Sequence, residues 1–545
     1  MRILHTTLIT LTAAVILAGC SSVDLNPTNQ YEREYGVSTP ANTELYLNSF
    51  YPIIRNFGQF GSSALGGGNS SMSDGLTDIL KYSAIVAGTG DCNLIMTVDG
   101  QQSVTQNYFD CWTTCYGWIR RINEFIDAID NDSPVSEELK ERYRGEALML
   151  RGYCYFLIMR SHASVKDDLG VIIYRKINDM STAGKNKARA SVEDSWDQIW
   201  DDFSYAIDHL PEPAAAAGRL NKYAAEALAA RAMLYAARYD KAAELCTDII
   251  DHGGYDLASN EAILKFDFQI DALVHYYDQH YSSPGDVCDS DNYGSGWAGP
   301  TQEFVDMFDN ADGSPFDISD NSRRFITDAN VGSRDPRLAR AVLWNGTEWK
   351  GRTMELYEGG ADMKYMPYGK YNSPGNSVTG YYIRKNLDPA NHDYVLKGSY
   401  QSWVECRLAE ILLIRAECLA HAEDYTGAAA DVQTLRKARF GREDVQTAPI
   451  SDWDSALDVI LHERAVELCF EGHRFWDLRR TGRAQAVLSG KKYNGVLWKK
   501  NGTAFTAELV SCEMGARYYP ERFDRFPIPQ SEISNNTEAR QNSDW

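Results

Sequence analysis

Two stretches of this 545-residue chain follow one plan, and that plan admits few folds. "ALAARAMLYAARYDKAAELC" and "EILLIRAECLAHAEDYTGAAADV" each read as a helical run, a tight turn and the pattern Tyr-x-x-Ala-Ala. Tyr239 precedes Ala242 and Ala243, and Tyr425 precedes Ala428 and Ala429. Ala230 and Ala416 occupy matching positions upstream. Small residues there let paired helices approach closely. Helical periodicity recurs elsewhere: Trp112, Tyr116 and Ile119; Ala147, Leu150, Cys154, Leu157 and Ile158; Ala225, Leu228, Ala232 and Tyr235. Each set marks an amphipathic helix with one buried stripe, so the chain is mostly α.

The two hairpins resemble the tetratricopeptide helix-turn-helix unit. They lie far apart, so they do not form a tandem array. Weaker pairs near 141–209 and 456–483 would bring the scaffold to about four units. The scaffold is expected over about 110–252 and 403–485. Between about 253 and 400 Gly, Asp, Asn, Ser and Tyr dominate and the periodicity fades. A stretch of that length is seldom structureless in a compact domain. It is expected to be a loop-rich, short-strand region on the ligand side of the scaffold. A second Gly/Ser-rich loop runs from Gly58 to Gly75.

The N-terminus carries its own signal. Arg2 precedes an apolar run from Leu8 to Ala18 that stops at Cys20. The run is too short to span a bilayer, which takes roughly 20 apolar residues. Charge, apolar run and small residues in that order describe a secretory signal over 1–19. The Leu-Ala-Gly-Cys ending resembles a bacterial lipobox, in which Cys20 is kept and lipidated. A polar tether from 20 to 39 would then lead into a single domain over 40–545.

A formal charge of -22 disfavours nucleic acid and anionic lipid as partners. Ten cysteines remain beside Cys20, without a Cys-x-x-Cys pair or a cluster with histidine. They read as small buried hydrophobes rather than a disulfide framework or a zinc site. Aromatics make up 12% of the chain. Core packing takes most of them, and a carbohydrate or peptide surface could take the rest.

The segment 462–482, "HERAVELCFEGHRFWDLRRTG", is the most distinctive. Leu461, Ala465, Leu468 and Cys469 form a buried stripe, and Gly472 lies past the helix end, where a left-handed residue commonly stops a helix. Glu463, Glu467 and Glu471 are expected to face Arg474, Arg479 and Arg480 in a structural ion-pair network. His462-Glu463 begins like a zinc-protease motif, but position 466 is valine. The segment resembles the SusD-like (RagB/SusD) nutrient-binding outer-membrane lipoproteins through Glu463, Arg464, Glu467, Leu468, Phe470, Glu471, Gly472, Arg474, Asp477, Leu478, Arg479, Arg480 and Gly482. Supporting stretches are "GEALMLRGYCYFLIMR", "AAEALAARAMLY", "RDPRL", "TGYYIRK", "RLAEILLIRAEC" and the ending "RFPIPQSEISNNTEARQNSDW". The ending departs from the family pattern at Thr537, Ala539 and Asp544-Trp545, which puts the conformation of the tail in question.

The resemblance implies a cell-surface, lipid-anchored protein that captures a glycan, with a peptide as the lesser alternative. It also implies a SusC-like TonB-dependent transporter as partner, no catalysis and no cofactor. No Gly-x-Ser-x-Gly elbow, phosphate loop or dinucleotide fingerprint is present. A secreted glycoside hydrolase and a tetratricopeptide-type interaction scaffold are the alternatives. Sugars present apolar C–H faces on which aromatics stack. The candidate ligand residues are Tyr276, Tyr277, Tyr281, Tyr293 and Trp297, five aromatics separated by Gly, Ser, Asp and Asn rather than by aliphatics. Trp344 and Trp349 are secondary candidates. Asp286, Asp289 and Asp291 could hold calcium, but solvated loop acids are the plainer reading, and no metal is expected.

Overall fold

The computed structural model describes residues 33–61, 72–83, 91–96, 102–180, 186–286, 288, 294–363, 377–513 and 515–545. Cys20, Tyr293, Asp289, Asp291 and much of the 58–75 loop lie outside the described residues.

The scaffold opens with α1 (Trp112–Asn131), α2 (Glu137–His162), α3 (Val192–His209), α4 (Lys222–Tyr235) and α5 (Tyr239–His252). After the irregular region come α8 (Leu408–His421), α9 (Tyr425–Phe440), α10 (Trp453–Glu467) and α11 (Arg474–Arg480). Two shorter helices between them, α6 (Tyr277–Tyr281) and α7 (Pro336–Ala341), matter below. Most starts follow local chemistry. Ser136, Ser191, Asn221 and Asp424 accept a backbone N–H at the helix N-termini, and Asp452 and Ser455 form a reciprocal capping box on α10. Gly441 closes α9 in the left-handed conformation.

The helices pair as α2/α3, α4/α5, α8/α9 and α10/α11, the four expected units. The two hairpins that matched in sequence also match in turn geometry: Ala237 and Glu423, each two residues before the key tyrosine, both have positive φ. Ala230 and Ala416 are fully buried. Between α2 and α3, a Cβ on Gly152 would sit 3.1 Å from Asp202 Cβ, so the helices approach there over a bare backbone. The last unit is short, with α11 only seven residues long.

The described strands form five antiparallel pairs. They are β1 (Leu80–Tyr82) with β3 (Ala298–Pro300), β2 (Ala262–Phe266) with β8 (Trp403–Arg407), β4 (Val342–Leu343) with β7 (Tyr382–Ile383), β5 (Glu348–Trp349) with β6 (Arg352–Thr353), and β9 (Asn494–Asn501) with β10 (Ala504–Ser511). The β2–β8 pair runs from Ala262 opposite Arg407 to Phe266 opposite Trp403, and it joins the two halves of the scaffold. Arg231 on α4 reinforces that joint. It bonds Glu410 at 2.7 and 2.8 Å and Glu405 at 3.0 Å.

One apolar core fills α1–α5, and a second lies under the irregular region and α11. All ten cysteines beyond Cys20 are buried free thiols that act as small core residues. The C-terminal tail is tied down despite its departures from the family pattern. Asn542 donates to the carbonyls of His162 and Phe526 and accepts from Arg189, and Trp545 donates to the Arg525 carbonyl.

Candidate functional site

The aromatic segment is organised by α6. Its start is fixed by side chains: His275 Nδ1 accepts the N–H of Tyr277 at 3.2 Å, and Ser399 Oγ accepts that of Asp278 at 3.0 Å. A five-residue helix places i and i+4 on one face. Tyr277 and Tyr281 are such a pair, and they point inward at 0% exposure. Tyr277 donates to the Lys385 carbonyl, and the Tyr281 and Tyr82 hydroxyls meet at 2.9 Å. Both rings belong to the second core. They therefore support the surface above them and are closed to a ligand in this structure.

The adjacent face carries His280, with Tyr276 at the residue just before α6, ring centroids 6.3 Å apart. Tyr276 is 45% exposed. The returning chain brings Trp297 to the same place. Ser295, Gly296 and Trp297 donate to the carbonyls of Gln279, Ser282 and His280 at 2.8–2.9 Å, and Ser83 donates to the Trp297 carbonyl. This clamp stacks Trp297 on His280 at 3.7 Å and 15°. Gly296 makes the turn possible. Its φ is +57°, and a Cβ there would lie 2.9 Å from the Tyr382 ring.

Tyr276 and Trp297 thus sit on one surface, Tyr277 and Tyr281 lie beneath it, and Tyr293 is outside the described residues. Trp344 and Trp349 are buried core residues rather than platforms; Trp344 donates to Asp328 at 2.9 Å. Asp286 is buried in an ion pair with Lys350 at 3.1 Å. His280 was inside the sequence segment but went unrecognised. The i, i+4 spacing of both Tyr277/Tyr281 and Tyr276/His280 was the signal that separates the two faces. Backbone pairing of His275 with Ser399 adds a further exposed apolar border, since it sets Leu273 and Tyr276 beside the segment that carries Leu396 and Tyr400.

The charged segment 462–482 is a buried ion-pair network, as its density suggested, but the partners differ from those expected. Glu467 binds Arg407 at 2.7 Å, Arg439 at 2.9 Å and Arg337 at 3.2 Å. Glu463 bonds Arg337 and, at 3.0 Å, Arg436. Glu471 takes Arg407 and Lys385 at 2.7 and 2.6 Å. Arg474 instead pairs with Asp78, and Arg480 with Glu417 and Asp477, while Arg479 donates to the carbonyls of Arg160 and Asp524. The reason is the turn between the helices. Phe470 and Gly472 both have positive φ, and the chain leaves in a new direction. Burial raises the Glu471 carboxyl, but Arg407 and Lys385 outweigh it and hold the group at about 2. A cavity of about 340 Å³ opens beside this network. The cations Arg337, Lys385, Arg407 and Arg439 in its wall already bond carboxylates, so this wall is structural.

A model described as the SusD family matches residues 260–545, more than half of the chain. This chain belongs to the SusD family. A second model, described as "Starch-binding associating with outer membrane", matches 67–234 of this SusD-family chain. "SusD-like protein P38" of Formosa agariphila is 25% identical over 404 residues, 71% of this chain and 75% of that protein. A SusD-like protein from Bacteroides fragilis superposes with a TM-score of 0.75 at 24% identity, covering 93% of this chain and 98% of its own. A SusD-like carbohydrate binding protein from the same organism gives 0.73 at 24% identity, with coverage of 92% and 99%. The SusD fold is therefore established over nearly the whole chain.

Proposed function

We propose that this SusD-family chain is a cell-surface lipoprotein that binds a glycan without turning it over and passes it to a TonB-dependent outer-membrane transporter. The observation that carries the reading is the stacked Trp297–His280 pair beside exposed Tyr276, on a chain whose structural relatives include a carbohydrate binding protein. A stacked, backbone-clamped indole loses little side-chain entropy when a sugar face settles on its surface. Cys20 would supply the anchor, with acyl chains contributing about 0.8 kcal/mol per buried CH₂. No helix among the described residues is long and apolar enough to cross a membrane.

The test is calorimetric titration against a panel of soluble oligosaccharides, with product analysis of the same samples. For the glycan that binds, Trp297→Ala is expected to weaken affinity by about 2 kcal/mol, the loss typical of an anchoring aromatic. Tyr276→Ala should weaken binding with little change in Tm, because the ring is exposed. Trp297→Ala should also lower Tm, since the indole packs on His280 and on the second core. Wild-type affinity in both variants would place the ligand elsewhere, and released product would make the protein a hydrolase.

Lipid anchoring is checked separately. Cys20→Ala is expected to move the protein from the membrane to the soluble fraction. Unchanged fractionation would remove the lipobox reading.

A further inference from the structure

A small pocket opens where the short helix Pro52–Phe57 meets the segment 268–275. Its volume is about 180 Å³. Pockets for drug-sized molecules run to about 300–1,000 Å³, so this one suits a single sugar ring. Phe60, Phe268 and His275 form one wall, with ring centroids 4.6–5.5 Å apart pairwise. His275 offers only its ring. Its Nδ1 accepts from Tyr277 and its Nε2 donates to the Gln401 carbonyl, so both nitrogens are taken. Burial lowers its pKa to about 4, which leaves the imidazole neutral at pH 7.

Arg55 and Asn56 supply the polar side of the pocket. Neither side chain bonds another group among the described residues. Arginines elsewhere in the fold are used differently: Arg231, Arg337 and Arg407 each hold two or more carboxylates. No carboxylate lines this pocket. On a chain of formal charge -22, its lining is therefore locally positive: one partly buried guanidinium beside aromatic walls.

The pocket also continues the aromatic surface. His275 and Ser399 pair and are both buried, so their neighbours Val274, Tyr276 and Tyr400 turn to the outer face. Leu273 and Val274 line the pocket, and Tyr276 leads on to His280 and Trp297.

We propose that this pocket holds one acidic sugar at the end of a glycan that lies across Tyr276 and Trp297, with Arg55 on its carboxylate or sulfate group. The inference rests on the glycan reading above and narrows it to acidic glycans. A planar guanidinium offers paired N–H donors that match two oxygens of such a group. Asn56 serves a neighbouring hydroxyl, and the Phe60 and Phe268 rings take the apolar C–H face.

The experiment is a ligand-observed NMR titration of the full chain at low salt with four single-sugar probes. They are the methyl glycosides of glucuronic acid, of its methyl ester, of glucose and of glucose 6-sulfate. The uronate, the sulfate or both are expected to bind about tenfold more tightly than the ester and the glucoside, the worth of one charge-assisted contact. Preference for the uronate alone assigns the pocket to a carboxylate, and preference for the sulfate alone to a sulfate ester. Added salt should shrink the ratio. Arg55→Gln should bring it to about one; the side chain has no bond to lose, so folding is not in question. Arg120→Gln, which removes the same charge from the exposed face of α1, should leave the ratio unchanged. Trp297→Ala with oligosaccharides tests the platform, whereas the single-sugar ratio and Arg55→Gln test this pocket, so either reading can fail without the other. Equal affinity for charged and uncharged probes, no binding of either acidic sugar at millimolar concentration, or a preference that survives Arg55→Gln would each overturn the proposal.

Discussion

Replacing Glu467 with alanine is expected to cost about 3–5 kcal/mol of folding stability, the usual penalty for removing one partner from a buried charge network. The carboxylate is buried and accepts from Arg407, Arg439 and Arg337. The three guanidiniums keep other acids: Asp335 and Glu463 for Arg337, Glu261 and Glu471 for Arg407, and Glu261 for Arg439. Each nevertheless loses a charge-assisted acceptor that water cannot readily replace in so buried a site. The surface pair Arg120–Glu124, at an i, i+4 spacing on α1, supplies the contrast. Arg120→Ala is expected to change stability by less than about 0.5 kcal/mol, because exposed pairs gain little in water. Urea titration of both variants reads the difference directly. Equal midpoints would show that the network adds nothing beyond packing.

The same network shows how far a sequence can be read. The scaffold was legible because a helix repeats its buried stripe every three to four residues, and because Ala230 and Ala416 mark the close approaches. The presence of a charge network was also legible, since so many acids and arginines along the apolar stripe of α10 and into α11 cannot all remain solvated. Its pairing was not. Arg337, Arg407 and Arg439 arrive from segments distant in the chain, and only the tertiary fold brings them to Glu467. The aromatic segment shows the opposite failure. Composition located the cluster, but adjacent tyrosines differ completely in exposure, Tyr276 at 45% and Tyr277 at 0%. A step of one residue decides which ring is exposed, and helical spacing carries that information where a count of aromatics does not.

Stability is expected to hold a broad plateau near pH 5–7 and to fall steeply below about pH 4, the ordinary range of free carboxyls. The signs follow from the direction of each shift. Burial raises Glu463, Glu467, Glu471 and Asp477, but neighbouring arginines outweigh it and hold all four below their usual values, Glu471 at about 2. A depressed carboxyl stabilises the fold above its unfolded pKa, and that contribution is lost as pH falls towards the folded one. Other buried groups act in the middle of the range with opposite signs. Burial lowers His275 and His473 to about 4, so protons bind the unfolded chain preferentially and stability drops as pH falls from about 6.5, the ordinary histidine pKa. Burial raises Asp74 to about 7 and Glu226 to about 8, so these two carboxyls favour the fold while protonated and oppose it as pH rises. Lowered histidines, His462 among them, and raised buried carboxyls pull in opposite directions through the middle of the range, while the arginine-held acids drive the loss at the acid limb. Each tenfold change in a proton affinity is worth about 1.4 kcal/mol, so Glu471 alone contributes on the order of 3 kcal/mol. Urea titrations from pH 2.5 to 8 should therefore show several kcal/mol lost between pH 5 and pH 2.5, with Glu471→Gln flattening that limb. A chain as stable at pH 2.5 as at pH 5 would mean that these carboxylates gain nothing from their arginines in the folded state.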